Sequence, residues 1–291
     1  MATPTDPSSS GGTYPLDAEN AAEMARLLSQ GRLVTKMMGG LFSERSDLST
    51  IHDVLDIGCG PGGWVLDVAR AYPEVKVVGI DISQLMTEYA RSQAWTHQLQ
   101  NASFRVMDIL KPLDFPDSSF DLINARTIAV FMPTTAWPSL LEECVRVSRP
   151  GGTIRLTECD LWGSTNSPAF EHFIELCMQA SKLAGRGFSI TGRDFGVTPM
   201  LGRLLRDAGC KNIQRKAHAN DFSAGTEAHA GMYQDTMVFF KLVQPFLIKT
   251  GVTTQEEVDR LYQQTLEEMR SDDFCAVAFF LTVWAETPER V

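Results

Sequence analysis

Several features that mark common functions are missing from this sequence. No run of Lys and Arg interrupts its 291 residues, and 26 basic side chains face 36 acidic ones for a formal net charge of −10. A surface that acidic repels a phosphate backbone, so nucleic acid is not an expected partner. No apolar run approaches the ~20 residues that a membrane-spanning helix needs, so no membrane insertion is expected. The opening stretch "MATPTDPSSSGGT" has neither a basic nor an apolar region of the secretory kind, so no signal peptide is expected there. The six cysteines (Cys59, Cys144, Cys159, Cys177, Cys210, Cys275) form no C-x-x-C pair and no Cys/His cluster at ligand spacing, so no metal site is expected. Most sit in apolar segments, as buried reduced thiols do. Together these absences point to a soluble, cytoplasmic protein, and a hydrophobic fraction of 44% is ordinary for one with a sizeable core.

What is present is a rhythm. Residues 1–13 are rich in Pro, Ser, Gly and Thr and read as a disordered tail. Residues 14–50 read as one or two N-terminal helices before the main fold, with Met24, Leu27, Leu28, Leu33 and Met37 at helical spacing before a Gly39-Gly40 stop. From residue 51, short apolar strands (53–58, 76–81, 103–109, 120–126, 153–160) alternate with amphipathic helices (62–72, 83–99, 136–148). That alternation predicts parallel pairing through right-handed crossovers, with helices on both sheet faces. The fold class is therefore α/β, doubly wound. After residue 160 come helices at 168–184 and 199–208, a strand at 210–222 and a helical insert over about 225–271, broken at Thr250-Gly251. The segment 274–287, "FCAVAFFLTVWAET", is rich in strand-forming residues. Residues 51–291 are expected to form one domain.

The first strand-to-helix turn reads "DIGCGPGG" and fits two cofactor loops. Gly58, Gly60 and Gly63 satisfy the G-x-G-x-x-G of nucleotide-dependent dehydrogenases. Asp56 followed by Gly58, Gly60 and Gly62 satisfies the D-x-G-x-G-x-G of S-adenosylmethionine (SAM) enzymes. Asp56 discriminates between them. A dinucleotide brings a pyrophosphate against that carboxylate, and the two anions repel in a partly dry cleft. SAM brings an ammonium and a sulfonium, which an acidic loop suits. Asp81, 21 residues after Gly60, can accept both ribose hydroxyls in either class. Asp108, read as ending the third strand, can accept from an adenine amine, with Met107 and Ile109 offering apolar faces to the ring.

The set "VLDIGCGPGGWVLDVA", "VVGIDIS", "VMDIL", "FDLINAR" and "RPGGTIRLTE" resembles the successive motifs of class I SAM-dependent methyltransferases, above all the small-molecule group with the ubiquinone and menaquinone methylases. The resemblance covers roughly residues 50–160. It implies a Rossmann-like, seven-stranded sheet whose last strand runs antiparallel between its neighbours. It also implies SAM as cofactor, held by Asp56, Gly58, Gly60, Asp81, Asp108 and Asn124, with Gly62, Ile82, Met107, Ile109 and Ala125 beside them. N-terminal helices often close the site in this group, which makes Tyr14, Arg32 and Lys36 candidate lid contacts or else ordinary helix-face residues.

Methyl transfer is an in-line attack that a dry, aligned pocket accelerates; a base matters only when the acceptor must lose a proton. Glu158 and Asp160, at the end of the fifth strand, are candidates for that base or else caps of a loop. His218 and His229 are weaker candidates, each equally a structural histidine, and His172 sits within a helix. Arg126 can pair with an acceptor anion, with the cofactor's carboxylate or with a surface acid. The insert "GMYQDTMVFFKLVQPFLIKT" is too apolar for a solvated helix; it packs on the sheet, lines an acceptor pocket through residues such as Tyr233 and Met237, or does both. The N-P-P-Y type motif for base amines is missing after strand four. The expected function is SAM-dependent methyl transfer to a small apolar or aromatic metabolite, with oxygen ahead of carbon and nitrogen on the habits of the resembling family. Two alternatives stand: a catalytically silent SAM-binding regulator, and an NAD(P)-dependent oxidoreductase.

Overall fold

The computed structural model describes residues 15–45 and 47–289. Eight strands form one sheet: β1 Asp53–Ile57, β2 Lys76–Asp81, β3 Ala102–Val106, β4 Phe120–Arg126, β5 Ser148–Glu158, β6 Ser164–Thr165, β7 Lys211–Asp221 and β8 Ala276–Glu286. Their order is β3-β2-β1-β4-β5-β8-β6, with β7 on the other edge of β8. Strands β1 to β5 pair in parallel, and β8 runs antiparallel between β5 and β7. This is the doubly wound α/β sheet the alternation predicts, with its last strand placed as expected. The eighth strand continues the β5 side: β5 pairs with Leu281–Glu286 and β6 with Ala276 and Val277. Two residues carry no periodicity, so the sequence does not announce them.

The helices are α1 Ala21–Met37, α2 Gly63–Ala71, α3 Gln84–Thr96, α4 Trp137–Val147, α5 Pro168–Leu183, α6 Thr198–Asp207, α7 His229–Thr250 and α8 Gln255–Glu268. Their starts follow local chemistry. Asn20, Ser83, Ser167 and Thr254 cap α1, α3, α5 and α8 with side-chain oxygens that accept from first-turn amides. Gly251, at φ 77°, ends α7 where the sequence signals a break. Helices α2 and α3 pack on one sheet face with Val54, Val77 and Phe104, and the larger core, which includes Leu55, Ile123 and Phe240, fills the rest. Helix α1 packs across α7.

Two strand limits differ from the sequence reading. Strand β3 ends at Val106, not at residue 109, because Asp108 Oδ1 accepts from the Leu110 amide and turns the chain out of the sheet. Strand β5 starts at Ser148 rather than residue 153, because pairing with β4 resumes across an irregularity at the Gly151-Gly152 turn.

Candidate active site

The carboxyl ends of the parallel strands open into one cavity of about 370 Å³. Its floor is the loop after β1. Gly58, Gly60 and Gly62 all take left-handed φ angles of 65°, 53° and 79°, which side chains with a Cβ resist. The loop is pinned to β2: the Cys59 amide donates to the Ile80 carbonyl at 2.9 Å, and the Gly60 amide donates to Asp81 Oδ2 at 2.8 Å. Asp81 Oδ1 accepts from the Ser83 amide at 2.9 Å. Each Asp81 oxygen thus takes one backbone donor and keeps a lone pair for the cavity it lines. Burial raises the Asp81 carboxyl above its ordinary value, against the pull of those amides.

Asp56, next to last in β1, is almost fully buried, yet it lines the cavity. Burial pushes its carboxyl up to about 6, while Arg126 holds it down from beyond. The Arg126 guanidinium lies 5.8 Å from the Trp64 ring and donates to Thr35 Oγ1 at 2.9 Å; burial lowers its own value to about 10. Met86, Ile82, Met107 and Ile109 add apolar lining around Asp81 and Asp108.

The other end of the cavity is aromatic. Phe131, Trp162, Phe195 and Phe239 line it, and Trp162 stacks on Phe239 with centroids 5.0 Å apart. Arg26 lies over the Phe239 ring at 5.3 Å. The polar groups of this wall are spent on two buried acids: Asp235 of α7 accepts from Arg26 Nη1 at 2.9 Å, Trp162 Nε1 at 3.1 Å and Gln30 Nε2 at 3.2 Å, and Glu23 of α1 accepts from Arg26 Nε and Nη2, each at 2.7 Å. Helix α1 contributes Arg26, Leu27, Gln30, Gly31 and Val34 to the wall. Glu158, at the end of β5, is the buried carboxyl at this part of the lining. Its Oε1 accepts from the Ile128 and Ala129 amides at 2.8 and 3.2 Å, and Oε2 has no partner among the described residues. Burial nonetheless raises this carboxyl to about 8.

Residues 54–152, which carry the glycine loop and the three acids, match the family described as "Methyltransferase domain". The chain carries a class I SAM-dependent methyltransferase domain. An uncharacterized methyltransferase of Schizosaccharomyces pombe is 33% identical over 134 residues, 44% of this chain and 47% of that protein. Phosphoethanolamine N-methyltransferase 3 of Arabidopsis thaliana is 29% identical over 202 residues, 68% of this chain and 37% of that protein. The chain thus spans less than half the length of these curated relatives. Haemonchus contortus phosphoethanolamine N-methyltransferase 2, solved with S-adenosyl-L-methionine, superposes with a TM-score of 0.52 at 18% identity, covering 87% of this chain and 52% of that one. At that identity the likeness is one of fold.

The domain's residues fit SAM. Asp81 offers paired free lone pairs to a diol, Asp56 offers a buried negative charge to an ammonium, and the Cβ-less Gly60 leaves the loop backbone open to close approach. Of the predicted cofactor residues, Asp56, Gly58, Gly60, Asp81, Ile82, Met107, Asp108 and Ile109 line the cavity. Gly62, Asn124 and Ala125 do not. A Cβ on Gly62 would lie 2.6 Å from the Phe104 ring, so this glycine serves packing between α2 and β3. Asn124 is fully buried beside Asp56, and Ala125 points into the core because alternate residues of β4 face opposite ways.

Among the acceptor-side candidates, Glu158 and Arg126 reach the cavity, while His218, His229, Tyr233 and Met237 do not. His218 lies on β7, beyond β8 from the parallel strands, where burial lowers its pKa. His229 opens α7 with Nδ1 against the Phe222 carbonyl at 3.1 Å and its ring near Phe274. Tyr233 packs under Arg270 at 5.3 Å, on a different face of α7 from Phe239. Met237 is half-buried on the same helix. Asp160 caps α6, accepting from the Val197 and Thr198 amides, and does not line the cavity. Lys36 pairs with Glu227 at the surface, Arg32 is exposed, and His172 sits between Glu175 and Glu257. Tyr14 lies outside the described residues. Sequence reasoning missed Arg26, Trp162, Phe195 and Asp235. Trp162 was the most findable, four residues past the strand end that places Glu158.

Proposed function

We propose that the chain methylates a small apolar or aromatic acceptor from SAM, with a hydroxyl oxygen as the favoured acceptor atom. The observation that carries this reading is one cavity with two chemically distinct ends: glycines and acids at β1 to β3, stacked aromatics with a single buried carboxyl at β5. When bound, SAM supplies a methyl group already activated on a sulfonium. The protein's share is to hold, dry and orient. Asp56 and Asp81 bind the cationic and diol ends, and the α1 wall excludes water. Glu158 moves the proton. Its Oε1 is anchored by two backbone amides, which leaves Oε2 to take a proton from an acceptor hydroxyl, and a value near 8 suits a base working at neutral to mildly alkaline pH. An acceptor that must lose a proton favours oxygen over a neutral amine. The aromatic wall, its own donors spent on Asp235 and Glu23, presents ring faces rather than polar groups to the acceptor.

Residues 14–50 act as a lid in this reading, since α1 forms one wall of the cavity, and residues 51–291 form the catalytic domain with α7 and α8 as the insert. A cytoplasmic setting fits six unpaired cysteines. Among the described residues no helix is long and apolar enough to cross a membrane.

The test is calorimetric titration with S-adenosylhomocysteine beside NADH, with Asp81→Ala as control, followed by labelled methyl transfer to a panel of phenols, aliphatic alcohols and amines. Micromolar homocysteine binding lost in Asp81→Ala, with turnover on hydroxylated aromatics, is the expected result. Tight binding with no turnover on any acceptor would support a silent regulator instead, and binding of NADH alone would refute the methyl-transfer account.

A further inference from the structure

Asp56, Asn124 and Arg155 occupy neighbouring positions on three adjacent parallel strands: Asp56 pairs with Asn124 across β1 and β4, and Asn124 with Arg155 across β4 and β5. Their side chains join in a row. Arg155 Nη1 donates to Asn124 Oδ1 at 2.6 Å, and Asn124 Nδ2 donates to Asp56 Oδ1 at 2.7 Å. At the far end Glu44 takes the Arg155 Nε, and its second oxygen accepts from Nη2 at 3.3 Å. Asn124 and Arg155 are fully buried, and neither they nor Glu44 line the cavity.

We propose that Asn124 and Arg155 are positioning residues for Asp56, keeping its carboxylate charged and turned to the cavity so that it can hold a cationic ligand group neither of them touches. The inference rests on the SAM reading for the identity of that group. A guanidinium has only donors, so it must face the Asn124 carbonyl oxygen. The Asn124 amide is then forced to present its NH₂ to Asp56, and a donor there matches the ionised acid. A row of this kind is costly in a strand interior, where an apolar residue at position 124 would pack without desolvating anything. The Glu44 carboxylate offsets the charge of Arg155, which leaves Arg155 acting on Asp56 mainly through the orientation of Asn124.

The charged and titratable groups around Asp56 give the expected direction. Arg126 of β4 and Arg155 of β5 favour its ionised form, as does the Asn124 hydrogen bond; burial and Asp81 at the end of β2 oppose it. The Cys59 thiol, itself raised by burial, stays neutral beside it. Behind Arg155, Glu44 is faced by His218, with Lys216 on the same strand β7. Without the Asn124 donor, burial goes less opposed and Asp56 takes up a proton at higher pH.

The test follows the Asp56 carboxyl by carbon NMR titration in the ligand-free protein, and in parallel the affinity for S-adenosylhomocysteine from pH 5.5 to 9. The variants are Asn124→Leu, which keeps the branched shape without the polar atoms, and the double variant Arg155→Met with Glu44→Gln, which leaves no lone buried charge. The Asp56 midpoint is expected to rise by about one pH unit in Asn124→Leu, from about 6, so that affinity falls about twofold at pH 7, nearly tenfold at pH 5.5, and recovers in alkali. The double variant shifts the midpoint in the same direction by less. A purely structural role weakens binding equally at every pH. An unmoved midpoint in either folded variant overturns the proposal. A moved midpoint in a protein that never binds S-adenosylhomocysteine would leave the row standing and refute the cofactor reading.

Discussion

Replacing Gly62 by Ala tests whether the third glycine of the loop serves packing or ligand. Gly62 sits at φ 79°, and an added Cβ would lie 2.6 and 2.9 Å from the Phe104 ring and 2.8 Å from the Ala90 Cβ. Phe104 is in β3 and Ala90 in α3, both buried, so neither neighbour can swing away into solvent. The left-handed backbone costs an alanine ~1 kcal/mol. Overpacking adds roughly 1–3 kcal/mol. A total near ~3 kcal/mol, at ~2.1 cal/mol/K of unfolding entropy per residue over 291 residues, lowers the melting temperature by about 5 °C. Gly63 is the internal control: it has no positive φ, and nothing lies within 4 Å of its Cβ position. Gly63→Ala is therefore expected to melt at or slightly above the wild type, because it only restricts the unfolded chain. Scanning calorimetry on the three proteins decides the matter. Equal melting of Gly62→Ala and wild type, or an equal loss in both variants, would refute the packing account.

Glu158→Gln keeps the oxygen that accepts from Ile128 and Ala129 but cannot take a proton, so methyl transfer to a hydroxyl should fall ~10²–10⁴-fold with homocysteine affinity intact. In the wild type that activity should rise with pH to a plateau above about 8. The same carboxyl is raised on folding from 4.5 to about 8, so its stabilising contribution is complete below 4.5 and lost as pH climbs through 8. Denaturation of the two proteins should therefore show the Gln variant gaining on the wild type across that window. Asp81→Ala removes two charge-assisted bonds to a diol, together ~3 kcal/mol, and calorimetry should register about a 100-fold loss of homocysteine affinity. Asp235→Ala deprives Arg26, Gln30 and Trp162 of a shared acceptor, a loss on the order of 3–5 kcal/mol, and amide exchange over residues 21–37 should accelerate while α2 stays protected.

The sequence shows most where one residue type answers one local demand. Alternating apolar segments foretold the parallel strands, and Asp56 and Asp81 were placed by their position at strand ends, where side chains meet a ligand cleft. Asp108 was recognised as lining although its strand stops two residues earlier, since a turn-forming Asp still delivers its carboxyl to the same edge. Asn124 and Ala125 were misplaced for a different reason: β4 runs on to Arg126, which meets the cavity, and nothing in "FDLINAR" says that the two residues before it stay buried within the sheet. The acceptor end was harder still. It is assembled from α1, the turn after β4, the segment past β5 and one face of α7, elements remote in sequence, so Phe239 of the apolar insert could not be told from Tyr233 six residues before it. Arg155 carried a usable signal, a charge set between the apolar Ile154 and Leu156 in the interior of a strand.

The place of β8 has a consequence for how the protein is made. Strand β5 is complete at Glu158, but the strand that covers its edge begins only at Ala276, 118 residues later (276 − 158). At ~5–20 residues per second of synthesis, that edge waits roughly 6–24 s on the ribosome with its amides and carbonyls unpaired. Strand β7 emerges earlier but has no partner except β8. The nascent chain is thus a half-sheet with an open, apolar margin, the kind of surface that recruits chaperones or a neighbouring nascent chain. Of the described strands, the last to be synthesised is the one that makes the sheet continuous.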